Sequence, residues 1–110
     1  MTAPGITTSW LAERLGTQPA RIEAMRRSGE LVGVRHGGEY VYPAWQFDRD
    51  WRPLPDVQRL VDAARAAGID GDRLHRLVTM RSGLTAGGRP LQRLDRESAD
   101  RVLRAINPSA

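Results

Sequence analysis

Apolar residues in the first third of the chain follow two different periods. Leu11, Ala12 and Leu15 recur at i, i+1 and i+4, which predicts a helix through Trp10–Leu15 with caps from Thr7-Thr8-Ser9 and a stop at Gly16. Thr17 is placed to cap a second helix with Pro19 in its first turn, where a missing N–H breaks no bond. That helix has a narrow apolar edge, Ile22 and Met25, and closes at Ser28-Gly29. At about 100° per residue the opposite face carries Ala20, Ala24 and Arg27, flanked by Arg21, Glu23 and Ser28. Arg26 lies nearer the core edge, where its stem can pack. After Gly29 the pattern becomes that of strands. Leu31–Arg35 and Glu39–Tyr42 predict a hairpin with its tip at His36-Gly37-Gly38, ended by Pro43. Two strands alone do not hold in water, so the hairpin must lie against the helices.

Residues 44–55 read as a boundary, with Trp45 and Phe47 as anchors and Pro53 and Pro55 stiffening the exit. The junction is placed near residue 54, giving units 1–54 and 55–110. The second half is helical throughout. Asp56 or a neighbour caps a helix with Val57, Leu60, Val61 and Ala64 inward, stopped by Gly68. Asp70-Gly71-Asp72 opens another, with Leu74, Leu77 and Val78 inward, ending by Ser82-Gly83. A tight turn at Gly87-Gly88-Arg89-Pro90 leads through Leu91 and Leu94 to a last helix that starts after Asp95. That helix carries Ala99, Val102, Leu103 and Ile106 and ends at Asn107-Pro108. The expected fold class is mainly α: a winged helix-turn-helix, helices plus a two-stranded wing, followed by a small helical unit.

The chain of 110 residues fits one compact domain or two very small ones sharing a core. Halves of about fifty residues bury too little surface to be stable alone, so a homodimer or partner contact is expected. The absence of cysteine removes disulfides, thiolate catalysis and cysteine-rich zinc sites, as in a reducing cytoplasm. The N-terminal MTAPGITTSW has neither a basic flank nor an apolar run, and no stretch reaches membrane-spanning length. A cytoplasmic protein without membrane association is expected.

Net charge is +4, and all 17 basic residues are arginine. The planar guanidinium suits phosphate and guanine, but arginine-only usage equally follows from a GC-rich genome. Residues 1–55 carry 7 arginines against 6 acids, and residues 56–110 carry 10 against 7, so basicity is not concentrated in the hairpin half. Catalysis finds little support. His36 and His75 are isolated from each other, and neither lies in a metal-binding spacing. Asp70 and Asp72 form a helix start rather than a calcium loop, Gly87–Pro90 lacks the phosphate-loop pattern, and no serine has an elbow context. Neither enzyme activity nor a cofactor or metal is expected.

Binding of double-stranded DNA asks for side chains that reach base edges from the start of a helix and phosphates from its flanks. Gln18, Arg21 and Arg27 are placed to read or approach bases, with Thr17 and Arg26 beside them. Arg35 and His36 on the hairpin are placed to hold phosphate. The alternative is a solvated face of a small helical domain. From Gly16 to Pro43 the chain resembles the excisionase and MerR-type helix-turn-helix. The resemblance rests on Arg27-Ser28-Gly29-Glu30-Leu31 at the corner, then Arg35, Gly37-Gly38 and Pro43, with Trp10–Gly16 as the first helix. Residues 20–24, Ala-Arg-Ile-Glu-Ala, depart from a family that more often has threonine and an aromatic there, and Glu23 repels phosphate.

The second half resembles the toxin-binding region of Xre/MbcA/ParS-type antitoxins, through Leu84, Gly87-Gly88-Arg89-Pro90-Leu91, Leu94 and the helix with Val102-Leu103. Met80-Arg81-Ser82 stands where that family often has a Pro-Asn pair, and an ordinary helix-to-helix turn accounts for the segment equally well. The resemblance implies a toxin partner of the RES type, encoded nearby and acting on NAD. Arg81, Leu84, Gly87, Gly88, Arg89, Pro90, Leu91 and Leu94 would meet that partner. The expectation is therefore a DNA-binding, antitoxin-like transcriptional regulator that represses its own promoter. The rivals are a stand-alone regulator dimerising through its C-terminal helices and a protein-binding adaptor without DNA affinity.

Overall fold

The computed structural model describes residues 5–82 and 93–108. It is mainly helical with a small antiparallel sheet. The order is β1 (Ile6–Thr7), α1 (Thr8–Leu15), α2 (Pro19–Ser28), β2 (Val34–His36), β3 (Glu39–Tyr42), a 3-10 turn (Ala44–Gln46), α3 (Pro55–Ala66), α4 (Gly71–Ser82) and α5 (Arg96–Ile106). No helix among the described residues is long and apolar enough to cross a membrane.

Local chemistry explains most of these boundaries. The Thr7 hydroxyl accepts from Trp10 N and caps α1. Both α1 and α2 end on a left-handed glycine, Gly16 and Gly29, with the next N–H reaching back to close the last turn (Thr17 N to Ala12 O, Glu30 N to Met25 O, both 2.9 Å). The Asp95 carboxylate accepts from Ser98 N at 2.7 Å, which opens α5 and holds that carboxyl below the usual range. Across the hairpin Val34 faces Val41, Arg35 faces Tyr40 and His36 faces Glu39. The two-residue connection is Gly37-Gly38, both at positive φ, as a hairpin turn of matching twist requires.

Three details differ from expectation. Thr17 does not cap α2; it closes the end of α1 through its N–H, and Gln18 holds the N-cap position without a side-chain hydrogen bond. Asp56 does not cap α3 either. The N-cap is Leu54, and Asp56 in the first turn pairs with Arg59 at 2.7 Å. Strand β2 begins at Val34 rather than Leu31, and a third strand, Ile6–Thr7, joins the far side of β3 to give the order β1-β3-β2. Leu31 and Val32 are withdrawn from the ladder because they plug two different cores.

One core is built from Leu11, Ala12, Ile22, Leu31, Tyr42 and Phe47. The other collects the inner faces of α3, α4 and α5 around Leu60, Leu74, Val78 and Val102, and takes Val32 and Trp45 from the hairpin half. Adjacent residues thus diverge, Leu31 from Val32 and Trp45 from Phe47, and the second core crosses residue 54. Gln46 lies between the cores with no exposure. Its Oε1 accepts from Val32 N at 2.7 Å, while Nε2 donates to Val32 O at 2.9 Å and to Pro43 O at 3.0 Å. One buried amide side chain satisfies both backbone groups of the residue where β2 fails to continue.

Candidate nucleic-acid interface

Helix α2 is seated by Ile22, fully buried, with Met25 half-buried beside it. This leaves Gln18, Ala20, Arg21, Glu23 and Arg27 exposed and Thr17 and Ala24 partly so. The three residues Gly16-Thr17-Gln18 turn the chain between α1 and α2. Gln18 gives no side-chain bond at the N-cap, but Pro19 has no N–H to leave open and Arg21 N donates to Gln18 O at 2.9 Å. Beside α2 the hairpin exposes Arg35, His36, Gly37 and Gly38 in a row.

The free edge of β2 is not left open. The Arg35 N–H donates to Asp72 Oδ1 of α4 at 3.1 Å, which pins the hairpin against the helical half. The Arg35 guanidinium turns to the opposite strand and lies 5.4 Å from the Tyr40 ring centroid.

Arg26 departs from its expected place beside the base-reading residues. Its guanidinium stacks on the same Tyr40 ring at 3.8 Å, and its Nε is buried with no hydrogen-bond partner among the described residues. The seat exists because position 33 is glycine. A Cβ there would stand 2.6 Å from Arg26 Cδ and 3.0 Å from Tyr40 Cδ1. Arg26 therefore ties α2 to the hairpin, while Gln18, Arg21, Arg27, Arg35 and His36 are each exposed. Two acids stand among these residues: Glu23 is one turn before Arg27 on α2, and Glu39 faces His36 across the hairpin. Glu23 and Glu39 line a depression of about 360 Å3 between the starts of α1 and α2 and the hairpin tip.

The fold is similar to that of Rv2175c. The NMR structure of that protein superposes with a TM-score of 0.72, covering 97% of this chain and 81% of Rv2175c at 23% sequence identity. No family model and no curated protein matches the sequence.

For the expected partner-binding residues the outcome is mixed. Arg81 is exposed at the end of α4. Leu94 does not face outward as expected. It is 5% exposed within the core of α3–α5, and its N–H donates to Trp45 O at 2.9 Å, because an apolar side chain next to Trp45 gains more from burial there. Leu84, Gly87, Gly88, Arg89, Pro90 and Leu91 lie outside the described residues.

Sequence reasoning missed Tyr40, Gln46 and Asp72. Tyr40 carried a signal, as the cross-strand partner of Arg35 in the expected hairpin register. Gln46 and Asp72 carried none, since each acts on backbone far away in sequence.

Proposed function

We propose that residues 6–54 form a winged helix-turn-helix that binds double-stranded DNA, and that the protein is a transcriptional regulator. One observation carries the reading: Gln18, Arg21 and Arg27 are exposed on a short helix reached by a three-residue turn from α1, next to a hairpin that exposes Arg35 and His36. Glutamine pairs with adenine and arginine with guanine in the major groove, while a basic hairpin holds the adjacent backbone. Glu23 and Glu39 repel a phosphate that approaches between α2 and the hairpin tip, which weakens binding by a single copy. One such face reaches few phosphates and bases, and a homodimer spanning two half-sites supplies the rest.

The test is fluorescence anisotropy with a fragment of the protein's own promoter over a salt series. Arg27→Ala and Arg35→Ala each make the log–log salt dependence shallower, by about 0.9 for every phosphate the arginine had neutralised. The double variant abolishes binding with an unchanged circular dichroism spectrum. Unchanged affinity in the double variant refutes the assignment of this face.

A second reading adds a partner: a DNA-binding antitoxin that neutralises a RES-type toxin and represses its own promoter. The observation in its favour is an open depression on the α4–α5 side lined by Arg81, Arg101 and Arg104, which suits an acidic protein surface. Co-purification from the native host decides between them, since a retained toxin supports the antitoxin and a homodimer alone supports the stand-alone regulator.

A further inference from the structure

Where the end of α2 and the base of the hairpin meet α3 and α4 there is a cleft of about 280 Å3. Its floor includes Val61 and Leu74, and Tyr40 forms part of its wall. Its lining includes three arginines, Arg26, Arg27 and Arg65, against one acid, Asp70. That carboxylate is engaged elsewhere, accepting from Arg73 N at 2.9 Å at the start of α4.

Each arginine is brought there by a separate cause. Arg26 is stacked on Tyr40 with its Nε buried and unpartnered among the described residues. Arg65 reaches across from α3, and its Nη2 donates to the carbonyls of Arg26 at 3.2 Å and Arg27 at 2.7 Å. A positive charge is thereby planted at the C-terminal end of α2, cancelling the partial negative charge that would repel an anion. Arg27 is exposed, and every ion pair among the described residues lies elsewhere: Arg59 with Asp56 and Asp100, Arg96 with Asp56, and Arg101 with Glu97. Three like charges around an apolar floor is an arrangement that folding alone does not favour.

We propose that this cleft binds a small phosphomonoester with an apolar body. The phosphate would lie on the planar fork of Arg27, beside the charges of Arg26 and Arg65, and the body against Val61 and Ile69. Because the cleft joins α2 to α3 and α4, an occupant crosslinks the two halves of the chain. The site is assigned independently of DNA binding by α2 and survives the failure of that reading.

The experiment uses the full chain, 15N-labelled, titrated with phenyl phosphate, inorganic phosphate and phenol. Phenyl phosphate is expected to shift the amides of Gly33 and Gly71, which line the cleft, in a saturable way. Inorganic phosphate binds about tenfold more weakly for want of the buried ring, and phenol does not bind. Arg27→Ala, which removes no hydrogen bond or ion pair found among the described residues, weakens phenyl phosphate about tenfold or more while the remaining spectrum is retained. Equal binding of inorganic phosphate, shifts confined to other surfaces, or an unaltered titration in Arg27→Ala would each overturn the proposal.

Discussion

Tyr42 is fully buried in the N-terminal core, and its hydroxyl has no hydrogen-bond partner among the described residues. A buried, unpaired hydroxyl forfeits its hydration without return. Tyr42→Phe should therefore raise stability, by about 1 kcal/mol, in urea denaturation; a loss of that size would show that the hydroxyl is satisfied in solution. Arg26 illustrates how far one residue can be read in advance. Its place near the core edge of α2 follows from helical geometry, but its seat on Tyr40 depends on the missing side chain at Gly33, in a different element. Leu94 is the converse case: an apolar residue beside a glycine-rich turn suits either a partner or a core, and only the proximity of Trp45 decides.

At the scale of elements, the turn Ala44–Gln46 does more than connect. Trp45 enters one core, Phe47 the other, and Gln46 serves Val32 between them. Gln46→Ala leaves the Val32 N–H and C=O buried without partners, a cost of about 2–6 kcal/mol at roughly 1–3 per group. That is a large share of the stability of a domain this size. The expected outcome is a much lower urea midpoint, or loss of cooperative unfolding, with little effect from exposed replacements such as Gln18→Ala; a normal midpoint in Gln46→Ala refutes the role. The helices were legible to within a few residues because their caps are local: Thr7, Gly16, Gly29 and Asp95 act within four residues of themselves. Strand β2 was overextended because Leu31 and Val32 alternate as strand residues do, while their destinations are set by two separate cores.

Across the whole molecule, the hairpin half and the helical half meet at Trp45 and His75. Trp45 Nε1 donates to His75 Nδ1 at 3.0 Å, so the imidazole is neutral with its proton on Nε2. Burial lowers the pKa of His75 from the ordinary value, opposed by the nearby Asp72 carboxylate. As pH falls through the ordinary histidine range near 6.5, the unfolded chain takes up this proton before the folded one. Stability should thus decline between pH 7 and pH 5, and this histidine adds no slope at higher pH, where both states are neutral. His75→Gln should flatten that limb in urea titrations at several pH values; an unchanged slope would place the linkage elsewhere. Breaking the Trp45–His75 bond also loosens the hairpin, because the same α4 supplies Asp72 to Arg35 N.

By itself the sequence determined the run of helices, the hairpin with its Gly37-Gly38 turn, and which residues of α2 are exposed. These rest on hydrogen bonds and side-chain periods that close within a few residues. Only the tertiary structure decided that Val32 and Trp45 join the C-terminal core, that Arg26 stacks on Tyr40, and that Arg65 closes the end of α2. The Gln46–Val32 bond spans 14 residues and the Arg65–Arg27 bond 38. Such pairings have no local period to announce them. They follow from which apolar faces pack, and packing then brings an arginine or an amide to whatever backbone the fold has left unpaired.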